Sequence, residues 1–440
     1  MRIRFLIALA ASCACLIADD RATITGKVVD TAGNPIEHAT VLVYHAGVKQ
    51  GYSTFCPSCY ADCGKRALTD AKGEFQFQGL SPDLWFELLV LREGSAPTLI
   101  KKVDPAKGIT ARAELKPRTD LSGFSVLRGH VVDTHGRPVR DAVVQPQGIA
   151  TIRDGKPASI YGTVDGLDLF AVTNTNGDFD IVSTTPASAM VILVEPRGMA
   201  PKIFTKLATG DERHTLTVTD GALIRGRLVQ DGKPVSAAEL GLIARERGWG
   251  ADLKLFGAPY NETRIGTRDD GTFAITNVPP GVDWYLYGKM ESLASRGATD
   301  IIKCVTKDDG QDVDLGDIPV HSAHTLRGRV VLADGRPIPP GNRVILSSSQ
   351  AWDNQVAVLD SEGRFEFHGL TSGDYEISAS VRRYGLPDKP VVKAEDYPDH
   401  EQFIKAQQAW YANARGVSVF SLDRDVNDFT ITLQPAQARQ

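Results

Sequence analysis

Apolar and polar residues alternate with a period of two along most of this chain, the spacing that sets one face of a β-strand on a core and the other in solvent. Phe75 and Phe77 in "GEFQF", and Phe365 and Phe367 in "GRFEF", show the pattern clearly. The alternating runs are short, are broken by Gly-, Pro- and Asx-rich turns, and recur four times in one order. Each copy opens with a strand and turn: ITGKVVDTAGNPIEHATV from Ile24, LRGHVVDTHGRPVRDAVV from Leu127, IRGRLVQDGKPVSAAEL from Ile224 and LRGRVVLADGRPIPPGNRV from Leu326. A hairpin signature follows: TDAKGEFQF from Thr69, TNTNGDFDI from Thr173, TRDDGTFAI from Thr267 and LDSEGRFEF from Leu359. Its glycine (Gly73, Gly177, Gly271, Gly363) stands where a tight turn requires positive φ. Pro35, Pro138, Pro234 and Pro337 stand where a strand edge tolerates a missing N–H.

The repeated glycines Gly26, Gly129, Gly226 and Gly328 lie 103, 97 and 102 residues apart. That interval fits a seven-strand sandwich of about 100 residues and is too long for a solenoid repeat. The pattern predicts an all-β chain of four units, over 22–117, 125–219, 221–320 and 324–436. Units two and three abut with almost no linker, whereas 116–126 is more open and is predicted to flex. One stretch has a helical period: in 398–414, Pro398 suits a first turn, and Phe403, Gln407, Trp410, Tyr411 and Ala414 share a face. It is predicted to be a helical insertion in the last unit.

The G-x-V-x-D start, the G-x-P-[IV]-x-x-A-x-V turn and strand, the T-[DN]-x-x-G-x-F hairpin and the G-x-[YW] strand after it resemble the carboxypeptidase regulatory-like family. The resemblance is best in copies one and four. Copy two has "STTPASAMVILV" in place of the Gly-x-Tyr/Trp signal, and copy three has Glu239 at a position that is usually small or apolar. The resemblance implies tandem transthyretin-like β-sandwiches of the carbohydrate-binding-like and Cna B-type group. It also implies no hydrolysis, since in metallocarboxypeptidases this domain follows the catalytic one.

The remaining chemistry is sparse. Arg2 and Arg4 precede an apolar run from Phe5 to about Ile17, the order of a secretory signal over 1–18. Ala10-Ala11-Ser12-Cys13 resembles a lipobox, making Cys13 a candidate for lipidation, with ordinary cleavage near Ala18 as the alternative. The expected location is secreted, periplasmic or on the outer surface of the cell envelope. No later stretch reaches the roughly 18 to 20 apolar residues of a spanning helix. With 49 basic and 54 acidic residues and a net charge of -5, the chain lacks a basic footprint for nucleic acid.

Cys56, Cys59 and Cys63 crowd a loop found in copy one alone. An oxidising compartment favours a disulfide there; zinc, with His38 or His45 as a fourth ligand, and free or redox-active thiols are the alternatives, and Cys304 is a distant candidate partner. Asn174, Asn176, Asp178 and Asp180 alternate about a glycine, as in oxygen-ligand calcium loops, although hairpin chemistry accounts for them equally. None of the nine histidines has a Glu three residues on, and G-x-S-x-G and P-loop motifs are absent. No cofactor is expected. Trp249, Tyr260, Trp284 and Trp352 are candidates to stack on sugars. The sequence thus points to a non-catalytic secreted or envelope-anchored binding or spacer protein. The alternative is a carbohydrate-binding or accessory subunit of a polymer-degrading or uptake system, its partner an unidentified protein or polysaccharide.

Overall fold

The computed structural model describes residues 21–49, 57–58, 60, 62–108, 110–118, 120–153, 155–244, 265–349, 351, 353–381, 384–385, 402 and 417–435. Each copy forms two β-sheets. In the front sheet the opening strand (Ala22–Asp30, Ser125–Val132, Ala222–Gln230, His324–Leu332) is central. It pairs antiparallel with the hairpin strand (Glu74–Leu80, Asp178–Ser183, Thr272–Val278, Arg364–Leu370). On its other side it pairs parallel with the closing strand (Ala111–Leu115, Arg213–Thr217, Asp312–Pro319, Val426–Pro435). The back sheet is antiparallel throughout; in unit one its order is Arg66–Leu68, Thr40–Val48, Leu84–Leu91 and Thr98–Val103.

Pairing has the same register in every unit: Gly26 lies opposite Phe75, Gly129 opposite Phe179, Gly226 opposite Phe273 and Gly328 opposite Phe365. The phenylalanine ring lies over the glycine. A Cβ on Gly26 or Gly129 would come within 2.1 Å of that ring, and one on Gly328 within 2.6 Å. The two motif residues are therefore one packing device, a socket and its knob, and any larger residue at the socket must expel the ring from the core.

The hairpin glycine meets two demands. Gly73 has φ 73°, and a Cβ there would lie 2.4 Å from the Val28 carbonyl oxygen. The close approach lets the Val28 N–H donate to Gly73 O at 2.8 Å, and the equivalent bonds recur at Val131, Leu228 and Val330. Asp70 Oδ1 accepts from the N–H groups of Lys72 and Glu74, and Asn174 and Asp360 do the same in their copies.

Thr69 completes the hairpin. Its Oγ1 accepts from Ala39 N–H at 2.8 Å and donates to Ile36 O at 2.7 Å, fastening the segment that follows Pro35. Thr173 and Thr267 make the same two bonds; Leu359 occupies the position in unit four.

Each unit closes its own core between its sheets. In unit one Ile24, Val28, Phe75 and Phe77 face Val41, Val43, Phe86 and Leu88. Among the described residues the helical elements of three or more residues are the 3-10 turn Pro105–Lys107 and a short helix, α1 (Met290–Leu293), in unit three. The insertion expected over 398–414 lies outside the described residues apart from Gln402. No helix among the described residues is long and apolar enough to cross a membrane.

Candidate functional site: the cysteine loop and the unit junctions

The cysteine loop returns to the back sheet of unit one at its far end. Gly64 N–H donates to Val43 O and Ala46 N–H to Pro57 O, both at 2.8 Å. Asp62, 3% exposed, is the polar anchor: it accepts from Ser81 N–H, and Lys65 Nζ and Arg21 Nη1 lie 2.8 and 3.6 Å from its other oxygen. Cys63 is a free, half-buried thiol packed against the core of unit one, with its S–H directed at Pro57 O, 3.4 Å away. Burial pushes its pKa up to about 12. The Cys63 side chain thus turns inward to the core, with no disulfide to a described residue. Cys56 and Cys59 lie outside the described residues, as does Cys13. Cys304 is likewise free, buried in the core of unit three, its pKa raised to about 11 by burial. A thiol enclosed there cannot bridge to unit one.

The two histidines considered for zinc have acidic neighbours. His45 Nδ1 is 3.1 Å from Glu87, and His38 Nε2 is 3.6 Å from Glu37. Among the described residues no group of three or more His, Cys, Asp or Glu is placed to hold a metal ion. In the Asn174 hairpin, Asn174 Oδ1 caps the turn and Asp178 lies 2.9 Å from His130, whereas Asp180 Oδ1 is buried without a hydrogen-bond partner, with Arg213 3.6 Å away.

Trp284 is 1% exposed, its indole N–H donating to Pro279 O at 3.0 Å, so it presents no ring face to a sugar. Alternation explains the correction: Trp284 and Leu286 point inward from the strand Val282–Gly288. Trp249, Tyr260 and Trp352 lie outside the described residues. An open groove of 690 Å³ crosses the front sheet of unit four between Arg327, Arg329, Arg364, Asp360, Glu366 and Asp428, so its charges balance.

The densest constellations that the sequence did not reveal are at the junctions. Between units one and two, Leu42, Leu89, Leu91, Val143 and Val172 form a separate buried cluster, flanked by Tyr44 and Phe170 in edge-to-face contact. Two ion pairs border it: Arg66 with Glu195, and a bidentate Arg118 with Asp168. Arg118 N–H also donates to Gly94 O at 2.8 Å. The start of the 116–126 stretch is thus pinned, against the expectation of a flexing linker, because Arg118 reaches across to unit two.

The other two junctions reuse one position of the repeat. In units one, three and four the front-sheet register shifts near Ala22, Ala222 and His324, and the hairpin strand turns through a positive φ at Gly79, Asn277 and Gly369. Such bulges redirect the strand and expose its polar backbone to a neighbour. Asn277 Nδ2 donates to Gly198 O and Asp220 O, both at 2.8 Å, while Leu193 of unit two enters the core cluster of unit three. At Gly369 a Cβ would lie 2.8 Å from Ala294 Cα and 2.9 Å from Met290 O, so α1 rests directly on unit four. The opening and hairpin strands of unit two pair without such a shift, and its junction with unit one is made through the back sheet of unit one instead.

No curated protein matches the chain. Among solved structures it is similar to the Bacillus anthracis TIE protein, at 10% identity over 94% of this chain and 75% of that one, with a TM-score of 0.19. It is also similar to a Streptococcal ancillary pilin (10%, 69% and 99%, TM-score 0.25). A third is GBS52, the minor pilin of Streptococcus agalactiae (12%, 50% and 98%, TM-score 0.25). At these scores none of them bears on function. Residues 23–116 match the model of the carboxypeptidase regulatory-like domain, and the shared front-sheet register makes the chain as a whole resemble a tandem repeat of that domain.

Proposed function

We propose that the mature chain is a non-catalytic, extracytoplasmic spacer that holds its two ends, and whatever each end binds, at a fixed separation. The observation that carries this reading is the packing of all three junctions: a buried cluster between units one and two, Leu193 seated in unit three, and Met290 seated in unit four. Beads on flexible linkers would leave those surfaces polar and apart. A sandwich that closes its own core does not need apolar side chains on a second face, and their presence favours a chain selected for relative orientation. The test is a spin-label distance between a site in unit one and a site in unit three. A single narrow distribution is expected; a broad one, like that of tethered independent domains, would overturn the reading.

A further inference from the structure

The junction between units three and four contains a buried carboxylate that no core requires. Asp353 is 8% exposed and lies just before the strand Asn354–Val358 of unit four. Its Oδ2 accepts from the N–H of Met290, the first residue of α1 in unit three, at 2.6 Å. Helix α1 has only four residues, and Lys289, at its N-cap, makes no side-chain capping bond. A helix this short does not persist by itself. Unit four therefore supplies the cap that unit three lacks, and Met290 carries the contact further by joining the buried core of unit four with Leu326, Phe367, Leu370 and Tyr375. Cap and knob together make α1 a latch between two units.

We propose that Asp353 makes this latch acid-strengthened, so that units three and four dock more tightly in a mildly acidic medium than in a neutral one. The acceptor role survives protonation, because a neutral carboxylic acid keeps a carbonyl oxygen for the Met290 N–H. What protonation removes is a charge held away from water.

The surroundings offer that charge little compensation. The N–H groups of Met290 and Asn354 and the Lys289 charge favour the ionised form, Glu291 opposes it, and burial outweighs the three. Lys289 also has Glu239 3.9 Å away. Behind it, Tyr375 directs its hydroxyl to Thr371 O at 2.9 Å, and Asp374 accepts from Ser421 Oγ at 2.5 Å. On the strand Arg364–Leu370, the charged side chains Arg364, Glu366 and His368 are exposed and pair with Asp360, Glu362 and Arg327 or with one another. Burial accordingly raises the Asp353 pKa from 3.8 to about 6.

The sign follows from linkage. The docked state holds the proton more tightly than the undocked one, so docking is strongest below about pH 4. It weakens as pH rises toward 6 and is constant above that. Across that window the docking equilibrium changes on the order of 100-fold.

Hydrogen exchange of the full chain at α1, corrected for the intrinsic rate at each pH, reads the latch. Protection of the α1 amides is expected to fall on the order of 100-fold between pH 4 and pH 7. Asp353→Asn, which keeps the acceptor without the charge, is expected to protect α1 equally at both. Met290→Ala is expected to lower protection at both. Wild-type protection that does not change with pH, an Asp353→Asn chain that retains the wild-type pH dependence, or a Met290→Ala chain with undiminished protection would each overturn the proposal.

Discussion

Replacing Thr69 by valine keeps the shape of the side chain and removes both bonds of its hydroxyl. Thr69 is 2% exposed and Ala39 is fully buried, so the Ala39 N–H loses its acceptor where water cannot replace it. Ile36 O loses its donor at the same time. Each stranded polar group costs about 1–3 kcal/mol. Backbone bonds from His38 N–H to Thr69 O and from Thr69 N–H to Ala39 O remain and limit how far the segment opens. A total of about 2–4 kcal/mol follows, equivalent to about 30- to 700-fold faster exchange of the amides over 36–39. Thr69→Ser keeps the hydroxyl and loses one methyl group, at about 1 kcal/mol. Site-resolved hydrogen exchange on the full chain is the assay. If valine and serine accelerate exchange equally, the hydroxyl does not fasten this segment and the reasoning fails.

Two further outcomes are expected. With its pKa pushed up to about 12, the Cys63 thiol is barely ionised at pH 8, and native alkylation should be about 1,000-fold slower than in the unfolded chain, as quantitative peptide mapping would reveal; equal rates would contradict its burial. Glu195→Ala removes the carboxylate from the half-buried Arg66 guanidinium but leaves its contact with the main-chain oxygen of residue 195, a loss of about 1.5–3 kcal/mol at the junction, and limited proteolysis should then cut within 116–126 sooner than in the wild type.

The front sheets were legible because their constraints are local. A glycine that accepts a ring, a glycine that permits a positive φ and a proline at an edge each leave one letter at a fixed offset. The hydroxyl clasp of Thr69 was visible as a letter but not as a mechanism, since its partners Ile36 and Ala39 lie some thirty residues upstream. The junction between units one and two did leave a trace: Val41-Leu42-Val43 and Leu88-Leu89-Val90-Leu91 are apolar at successive positions, the mark of strands buried on both faces. Trp284 was misread as a sugar platform, although the alternation of its strand sets it inward together with Leu286. Cys63 was harder to read. Compartment chemistry treats the three neighbouring thiols alike, and only the return of the loop to the back sheet turns this one toward the core. Asp353 gave no signal, because its partner Met290 belongs to another unit.

The proposed spacer requires the four sandwiches, packed unit against unit at all three junctions, to form one elongated, stiff body. Small-angle scattering from the monomeric mature chain tests it most directly. Four domains of about 30 Å in line would extend to about 120 Å, and the distance distribution should reach that length with a skewed tail. A radius of gyration near about 22 Å, the value for a single globule of this size, would contradict it.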